Sequence, residues 1–166
     1  LGIINSDDFY MHNKVIESVV NELKQKKTDS LFADLIYVEN TNGNQVRYWK
    51  SKPFKKNSFK KGWHPPHPTF FVKNNIYRKF GHFSLDFKLS ADFELMLRFL
   101  EKHQITSCYL PEPLIKMRLG GATNKNIQNI INQNIECYKA FKVNNLNVSF
   151  LYPFYRLFPK IMQYFR

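Results

Sequence analysis

The feature that most constrains the fold is an alternation of strand-like and helix-like segments in the first third of the chain. Residues 2–5 predict the end of a buried strand, and residues 31–40 are rich in apolar and β-branched side chains. Between them, residues 12–27 carry apolar side chains at helical spacing, namely Val15, Ile16, Val19, Val20 and Leu23. Asn42-Gly43 is a strong hairpin signal. This order predicts an α/β fold.

The same alternation continues along the chain. Residues 69–73 predict a short strand, and residues 74–80 predict a short helix that ends at Gly81. A longer helix is expected from the N-cap residue Ser90 to about His103. Two strand-like pieces, separated by Pro111 and Pro113, precede one more helix. The apolar side chains that mark this helix are Ile127, Ile130, Ile131, Ile135 and Tyr138.

The charge of the chain indicates an anionic partner. Lysine and arginine total 25 against 13 acidic residues, which gives a net charge of +12. Residues 47–61 contain no acid, and Glu136 is the only acid after Glu112. Nucleic acid, an anionic membrane surface and phosphate-bearing small molecules fit this charge, and a solvated basic face without a specific ligand is the alternative.

Two of these partners, nucleic acid and an anionic membrane surface, each have a segment of the chain that could bind them. A nucleic-acid-binding module would use the basic run at 47–61, with Tyr48, Trp49, Phe54 and Phe59 as stacking partners, although no recognisable binding motif accompanies it. The C-terminal segment, residues 146–166, could bind an anionic membrane surface. Its helical apolar stripe comprises Phe150, Leu151, Phe154, Tyr155, Phe158, Ile161, Met162 and Phe165.

Arg156, Lys160 and Arg166 lie off this stripe, so the helix is amphipathic and basic. This helix would either bind a membrane or pack back onto the rest of the chain. If membrane binding were the whole function, the chain would be a membrane-surface interaction protein without catalysis. The longest apolar stretches fall well short of the roughly 20 residues of a spanning helix. With two cysteines and no export signal, the expected location is cytoplasmic, or peripheral on the inner face of the cytoplasmic membrane.

Adjacent carboxylates at Asp7 and Asp8 follow the first predicted strand. Carboxylates on a rigid turn at a strand end can hold a hard divalent cation, whose remaining positions are filled by phosphate oxygens. The alternative is that an aspartate in this turn simply caps the following helix.

Asp92 lies in the first turn of its helix, on the same stripe as Leu95, Met96 and Phe99. It could act as a general base, or serve only as a first-turn acid favoured by the helix dipole. Glu94 is expected to project into solvent and pair with Arg98.

Two further side chains suit an anionic or sugar ligand. His67, between prolines, could hydrogen-bond a sugar or phosphate from a rigid loop, or could be structural. Arg118 precedes Gly120-Gly121, and a guanidinium beside a glycine loop suits a phosphate, whereas a tight turn after a strand is the alternative.

Four stretches, in this order, resemble family 2 glycosyltransferases of the bacterial kind that assembles surface polysaccharides. They are GIINSDDFY (2–10), PHPTFF (66–71), SADFELMLR (90–98) and KMRLGGATN (116–124). The resemblance implies a GT-A fold, which is a Rossmann-like mixed sheet flanked by helices. It also implies transfer of a sugar, with inversion, from a nucleotide-sugar donor to a hydroxyl of a saccharide or lipid-linked acceptor.

The resemblance assigns roles to individual residues. Asp7 and Asp8 would bind Mn²⁺ or Mg²⁺, Asp92 would be the catalytic base, and Arg118 would bind the donor diphosphate. His67 and Thr69 would line the acceptor side. Residues 1–124 would be the C-terminal part of the catalytic domain, and residues 125–166 a helical extension.

The sequence departs from the family pattern in three places. Asn5 stands at the first position of the usual Asp-x-Asp, so the resemblance does not say which carboxylate contacts the metal, and Ala91 stands where a glutamate often precedes the base. The family's nucleotide-binding βα units precede the acidic turn, and this chain has none before Gly2. The 166 residues are therefore expected to be an incomplete enzyme by themselves.

Overall fold

A computed structural model describes residues 1–39, 41–119, 127–154 and 156. They form a mixed α/β structure with two compact units, each described below by itself. The sheet unit comprises residues 1–54, 65–81 and 105–121. The helical unit comprises residues 55–64, 82–104 and 122–166.

The described residues of the sheet unit form five strands and two helices. In chain order they are β1 (Phe9–Tyr10), α1 (Val15–Lys26), β2 (Ser30–Val38), β3 (Gln45–Trp49), β4 (Phe71–Val72), α2 (Asn74–Phe80) and β5 (Ser107–Arg118). A 3₁₀ turn, His67–Thr69, leads into β4.

Strand β2 is the centre of the mixed sheet. It runs parallel to β5 along its whole length, and β5 pairs antiparallel with β1. Strands β4 and β3 pair antiparallel with the beginning and the end of β2. The strand order is β1-β5-β2-β3, and because β2 is paired with three strands it is buried along nearly its full length.

Helix α1 covers one face of this sheet. Val15 and Val19, four residues apart and therefore on one side of the helix, are buried against Leu35 and Ile115. The same cluster includes Leu31, Ala33, Phe71 and Leu114. Burial of this apolar surface is what holds α1 on the sheet.

Strand β5 contains a bulge opposite Asp34. Ala33 pairs with Leu110, Asp34 with Pro113 and Leu35 with Ile115, so Pro111, Glu112 and Leu114 have no partner residue on β2. Proline lacks a backbone N–H and is tolerated at such an irregularity. The two strand-like pieces predicted from the sequence are therefore one continuous strand, with the prolines at its bulge.

The helical unit contains α3 (Ala91–Leu97), a π-helical turn (Arg98–Lys102), α4 (Ile127–Val143) and a 3₁₀ turn (Phe59–Lys61). A chain of aromatic contacts forms its core. Phe93 meets Phe59 at a ring-centroid distance of 5.4 Å and Phe141 at 6.1 Å, and Phe141 meets Tyr152 at 5.0 Å.

Two buried or capping carboxylates organise this unit. Glu101 accepts hydrogen bonds from the backbone N–H groups of Asn57 and Phe59, which ties the 3₁₀ turn to the π-helical turn. Glu136 on α4 accepts hydrogen bonds from the N–H groups of the three residues before α3, namely Lys88, Leu89 and Ser90. Ser90 is the N-cap residue of α3, but its side chain makes no capping hydrogen bond: its hydroxyl donates to Gln133 O and accepts from Cys137 Sγ.

Several predicted elements are confirmed. Helices α1, α2 and α4 form, and the hairpin signal Asn42-Gly43 joins β2 to β3. The strand predicted at residues 2–5 is wrong, since these residues have no regular secondary structure and only Leu1 pairs with Val72 through two backbone hydrogen bonds. The helix predicted to His103 leaves α geometry after Leu97.

Other predictions fall outside the described residues. They concern the glycines 120 and 121 and the C-terminal helix at Tyr155 and from residue 157 onward. Within the described part of the chain, no helix has both the length and the apolar run that crossing a membrane would need. The expected boundary between a catalytic part, residues 1–124, and a helical extension, residues 125–166, stays a prediction.

Candidate functional site

The acidic turn, Asp7 and Asp8, directly precedes β1, which is an edge strand of the sheet. Asp7 is exposed, and Asp8 is half-buried immediately before β1. Because α1 begins at Val15, with Lys14 as its N-cap residue, neither aspartate caps that helix and the alternative role as an N-cap is wrong. Capping of α1 therefore does not account for these two carboxylates.

Two hydrogen bonds fix the Asp8 carboxylate. Asn5 Nδ2 donates to Oδ2 at 2.7 Å, and the backbone N–H of Arg118 donates to Oδ1 at 3.3 Å. The second bond links the first predicted motif to the last across 110 residues of sequence. Pairing of β1 with β5, in which Phe9 lies opposite Lys116, brings these segments together.

Opposing effects act on the pKa of the Asp8 carboxyl group. Burial raises the pKa of its carboxyl group above the ordinary value, and the nearby charge of Asp7 acts in the same direction. The hydrogen bonds from Asn5 and Arg118 lower the pKa, and the electrostatic influence of His67 acts in the same direction. A cation beside the two carboxylates would favour their ionised forms.

His67 is thus an electrostatic neighbour of the acidic turn. It begins the 3₁₀ turn before β4 and is half-buried. Thr69 at the end of this turn is fully buried, and its hydroxyl donates to Ala33 O (2.9 Å) or Pro66 O (2.9 Å) and accepts from Ala33 N (3.1 Å). The hydroxyl of Thr69 is therefore used within the fold, where it anchors the His67 turn to β2.

A cationic and aromatic rim adjoins the turn. The Lys116 ammonium lies 5.8 Å and the Arg118 guanidinium 5.7 Å from the centre of the half-exposed Phe9 ring. Both cations are on β5, two residues apart and therefore on the same side of the strand. Arg118 can thus present a positive charge next to Asp8.

The donor set at this end of the sheet suits a hard divalent cation only in part. Asp7 and Asp8 supply carboxylate oxygens, which Mg²⁺ and Mn²⁺ prefer, but such ions take about six ligands. Among the described residues, no three His, Cys, Asp or Glu side chains are grouped so that they could hold a metal by themselves. A cation here would need oxygens from a bound ligand or water.

Asp92 belongs to the helical unit, in the first turn of α3. Its Oδ1 accepts a hydrogen bond from the backbone N–H of Phe93 at 2.8 Å, and the side chain is half-buried. Leu95, Met96 and Phe99 on the same stripe are buried, as the helical spacing predicts. This geometry is compatible with a base at the border of the core and with a first-turn capping acid.

The burial of Glu94 differs from the prediction. It was expected on the surface, but it is only 3% exposed. Its carboxylate accepts hydrogen bonds from Arg98 Nε (2.9 Å) and Arg98 Nη2 (3.2 Å), and from Asn144 Nδ2 (2.9 Å). The pair with Arg98 exists, but α4 covers it, so Glu94 joins α3 to the end of α4.

Sequence reasoning missed a polar cluster around Asp34 on β2. This carboxylate is 1% exposed and accepts hydrogen bonds from Tyr48 Oη, Tyr109 Oη and Ser51 N, each at 2.7 Å. Burial and the bond to Asp34 raise the pKa of both phenols, that of Tyr48 to about 12. The available signal was an acid within the apolar run 31–38, since buried carboxylates are rare and need donors.

One of the four stacking partners predicted in the basic run at 47–61 is buried. Phe59 is fully buried in the helical unit, so it cannot stack on a base. In the sheet unit, Arg47 lies 5.5 Å from the centre of the Tyr37 ring, which itself stacks on Trp49. The burial of Phe59 removes one predicted stacking partner, Tyr48 is accessible, and the nucleic-acid-binding module stays a prediction.

The described start of the C-terminal segment has a mixed character. Phe150 and Phe154 are exposed, 75% and 68% respectively, whereas Tyr152 is buried against Phe141. Arg156 is 7% exposed, donates a hydrogen bond to Cys137 Sγ and lies 5.1 Å from the centre of the Phe93 ring. Up to Arg156, the segment therefore has both core contacts and exposed aromatic side chains.

Comparison with known proteins adds no assignment. No protein-family model matches the chain, and no curated protein matches it with significant similarity.

Proposed function

We propose that this chain belongs to a glycosyltransferase of the GT-A type that transfers a sugar from a nucleotide-sugar donor to a hydroxyl acceptor in polysaccharide synthesis. One observation carries the proposal: the first and the last of the four ordered motifs meet at the acidic turn of the sheet unit, where Asp8 accepts the N–H of Arg118. The electrostatic influence of His67 on Asp8 is consistent with a place for the second motif near this turn. The mixed sheet with a parallel β2–β5 pair also suits this fold.

In this proposal, Asp7 and Asp8 would hold Mn²⁺ or Mg²⁺, and the other ligands of the cation would come from the bound donor or from water. When bound, the cation offsets the negative charge that develops on the departing nucleoside diphosphate. Arg118, exposed and adjacent to Asp8, supplies a second positive charge to the diphosphate. His67 faces the acceptor, and Thr69 holds the His67 turn in position.

Asp92 is proposed as the general base. Its carboxylate takes the proton of the acceptor hydroxyl as that oxygen forms a bond to the anomeric carbon of the donor sugar. The bond from the anomeric carbon to the diphosphate oxygen breaks in the same step, and its electron pair leaves with the nucleoside diphosphate. Attack from the side opposite the leaving group inverts the anomeric configuration.

The acceptor is a saccharide or a lipid-linked saccharide, and the segment from residue 146 to 166 is proposed to contact the inner face of the cytoplasmic membrane where such acceptors lie. The exposed rings of Phe150 and Phe154 support this part of the proposal. Burial of Tyr152 and Arg156 supports the alternative, in which the segment packs on its own unit.

The metal assignment is tested by calorimetry on the protein expressed from its full reading frame. UDP, GDP and CDP are titrated with and without Mn²⁺, and one of them is expected to bind only with the metal. Asp7→Asn/Asp8→Asn should abolish this binding. Glu39→Gln, which removes an exposed acid from the same unit, should retain it. Binding that survives in the double variant, or no metal-dependent binding at all, would refute the assignment.

The base assignment is tested by turnover. UDP-glucose, UDP-galactose and GDP-mannose are supplied with a lipid extract, and the released nucleoside diphosphate is measured. Asp92→Asn should lower the rate by at least about 100-fold, the usual contribution of a general base, while leaving donor binding unchanged. Asp86→Asn, an exposed acid of the helical unit, serves as the control. A rate near wild type in Asp92→Asn would remove Asp92 from this role.

A further inference from the structure

One side of α1 is apolar but not covered by the sheet. Ile16 and Val20 are 47% and 40% exposed, although Val15 and Val19 on the adjoining side are fully packed. Ile16 and Val20 are four residues apart, so they lie one turn above the other on the helix surface. Leu23, half-buried, continues this strip and contacts the core beneath it. The helix thus has more apolar surface than the sheet unit buries.

A shallow groove of about 320 Å³ adjoins the same strip. Val20 and Leu23 are its apolar residues, and the remaining lining residues are three exposed lysines, Lys24, Lys27 and Lys73. No acid lines it. Glu22, an acid on the same helix, lies within 4.0 Å of Lys26 instead. The groove therefore combines an apolar floor with three positive charges that no lining carboxylate neutralises.

We propose that this surface of α1 docks on an anionic lipid membrane. Ile16, Val20 and Leu23 would face the boundary between headgroups and acyl chains, and Lys24, Lys27 and Lys73 would contact the anionic headgroups. An apolar strip with flanking lysines on a helix is the pattern that binds membrane interfaces, because apolar burial and attraction to anionic lipid act together. This inference is independent of the proposed glycosyltransferase activity.

Charge complementarity selects this occupant. A neutral protein partner would cover the apolar strip but would leave three lysines without counter-charges. A negative lipid surface satisfies both features, and the net charge of +12 acts in the same direction at long range. Each lysine near an anionic surface contributes about a fivefold gain in partitioning, so loss of all three predicts a decrease of about 100-fold.

The experiment is co-sedimentation of the full chain with vesicles of phosphatidylcholine alone and of equal parts phosphatidylcholine and phosphatidylglycerol. Wild type should bind only the anionic vesicles. Lys24→Gln/Lys27→Gln/Lys73→Gln should weaken this binding about 100-fold. A control that removes the same charge elsewhere, Lys55→Gln/Lys56→Gln/Lys61→Gln, alters three exposed lysines outside the groove and should retain most of the binding.

A second variant removes apolar surface without changing charge. Ile16→Asn/Val20→Asn alters two exposed side chains, so the fold should be kept, as circular dichroism would verify, while vesicle binding should fall at least tenfold. Equal losses in the two lysine triples would mean that only net charge matters, and this would overturn the proposal. Binding unchanged in both groove variants would place the anchor elsewhere and would also overturn it.

A final arm distinguishes a membrane from a single amphiphile. Dodecyl phosphate is titrated below its micelle-forming concentration and followed by calorimetry. Groove-dependent binding of this monomer, without binding to anionic vesicles, would make the groove a site for one anionic amphiphile and would overturn membrane docking. Vesicle binding that this monomer does not saturate is the expected result.

Discussion

Removing one donor from Asp34 tests how this buried carboxylate is stabilised. Asp34 is 1% exposed, and the three groups that donate to it, Tyr48, Tyr109 and Ser51 N, are all neutral. A hydrogen bond to a charged group contributes about 1.5–3 kcal/mol. Tyr109→Phe keeps the ring, which stacks on Phe32, and removes only the phenol, so we expect the free energy of unfolding to fall by about that amount.

Tyr48→Phe should cost less, although its hydrogen bond has the same length. The Tyr48 side chain is 41% exposed, so water can take the place of the lost phenol, and we expect about 0.5–1 kcal/mol. Asp34→Asn keeps the shape but loses the charge and turns one acceptor into a donor. One of the three donors then has no acceptor, so the cost should be about 2–4 kcal/mol.

The assay is urea unfolding followed by fluorescence in a Trp63→Phe background. The chain has two tryptophans, so Trp49 on β3 then reports on the sheet unit alone. Tyr10→Phe, which removes the phenol of an exposed residue on β1, is the control and should change stability by less than about 0.5 kcal/mol. A cost for Tyr109→Phe as small as that of the control, or a larger cost for Tyr48→Phe than for Tyr109→Phe, would refute this account.

Three further predictions concern pH and helix capping. Burial and the bond to Asp34 raise the pKa of Tyr48 from 10.0 to about 12, so the unfolded chain loses the phenol proton first. The free energy of unfolding should therefore fall between about pH 10 and 12. Tyrosinate absorbance would report the ionisation, and a free energy of unfolding that does not change with pH in this window would contradict the prediction. Because burial raises the pKa of Asp8, affinity for Mn²⁺ should fall as pH drops through this raised pKa, and calorimetry at a series of mildly acidic pH values should show that Asp8→Asn loses this dependence. Glu136→Gln should destabilise the helical unit by about 1–2 kcal/mol in thermal unfolding, since its carboxylate accepts three N–H groups before α3, whereas Glu39→Gln should be neutral.

Local signals predicted the elements that depend on local structure. The apolar spacing of α1, the hairpin at Asn42-Gly43 and the stop of α2 at Gly81 are each decided within a few residues, and all three are correct. The acidic turn was also found from the sequence, but its partners were not. The bond to Arg118 spans 110 residues and depends on the pairing of β1 with β5.

The errors have the same physical origin. Glu94 was placed in solvent because the spacing to Arg98 describes one helix, whereas its burial depends on α4. Asp34 was overlooked because its phenol donors lie 14 and 75 residues away in sequence. Long-range packing decides which polar side chains are covered, and a single sequence shows only that an acid stands among apolar residues.

The bulge in β5 also determines which of its side chains point toward α1. From Ala33 to Leu35, β2 advances by two residues, whereas β5 advances from Leu110 to Ile115 by five. The excess is odd, so the in–out alternation of β5 inverts there: Cys108 and Leu110 pack on the α1 side before the bulge, and Ile115 and Met117 pack on it after the bulge. Without this inversion, Arg118 would point into the apolar cluster. A change of one residue in the length of this bulge would therefore exchange the two faces of the strand, whereas a change of two would keep them.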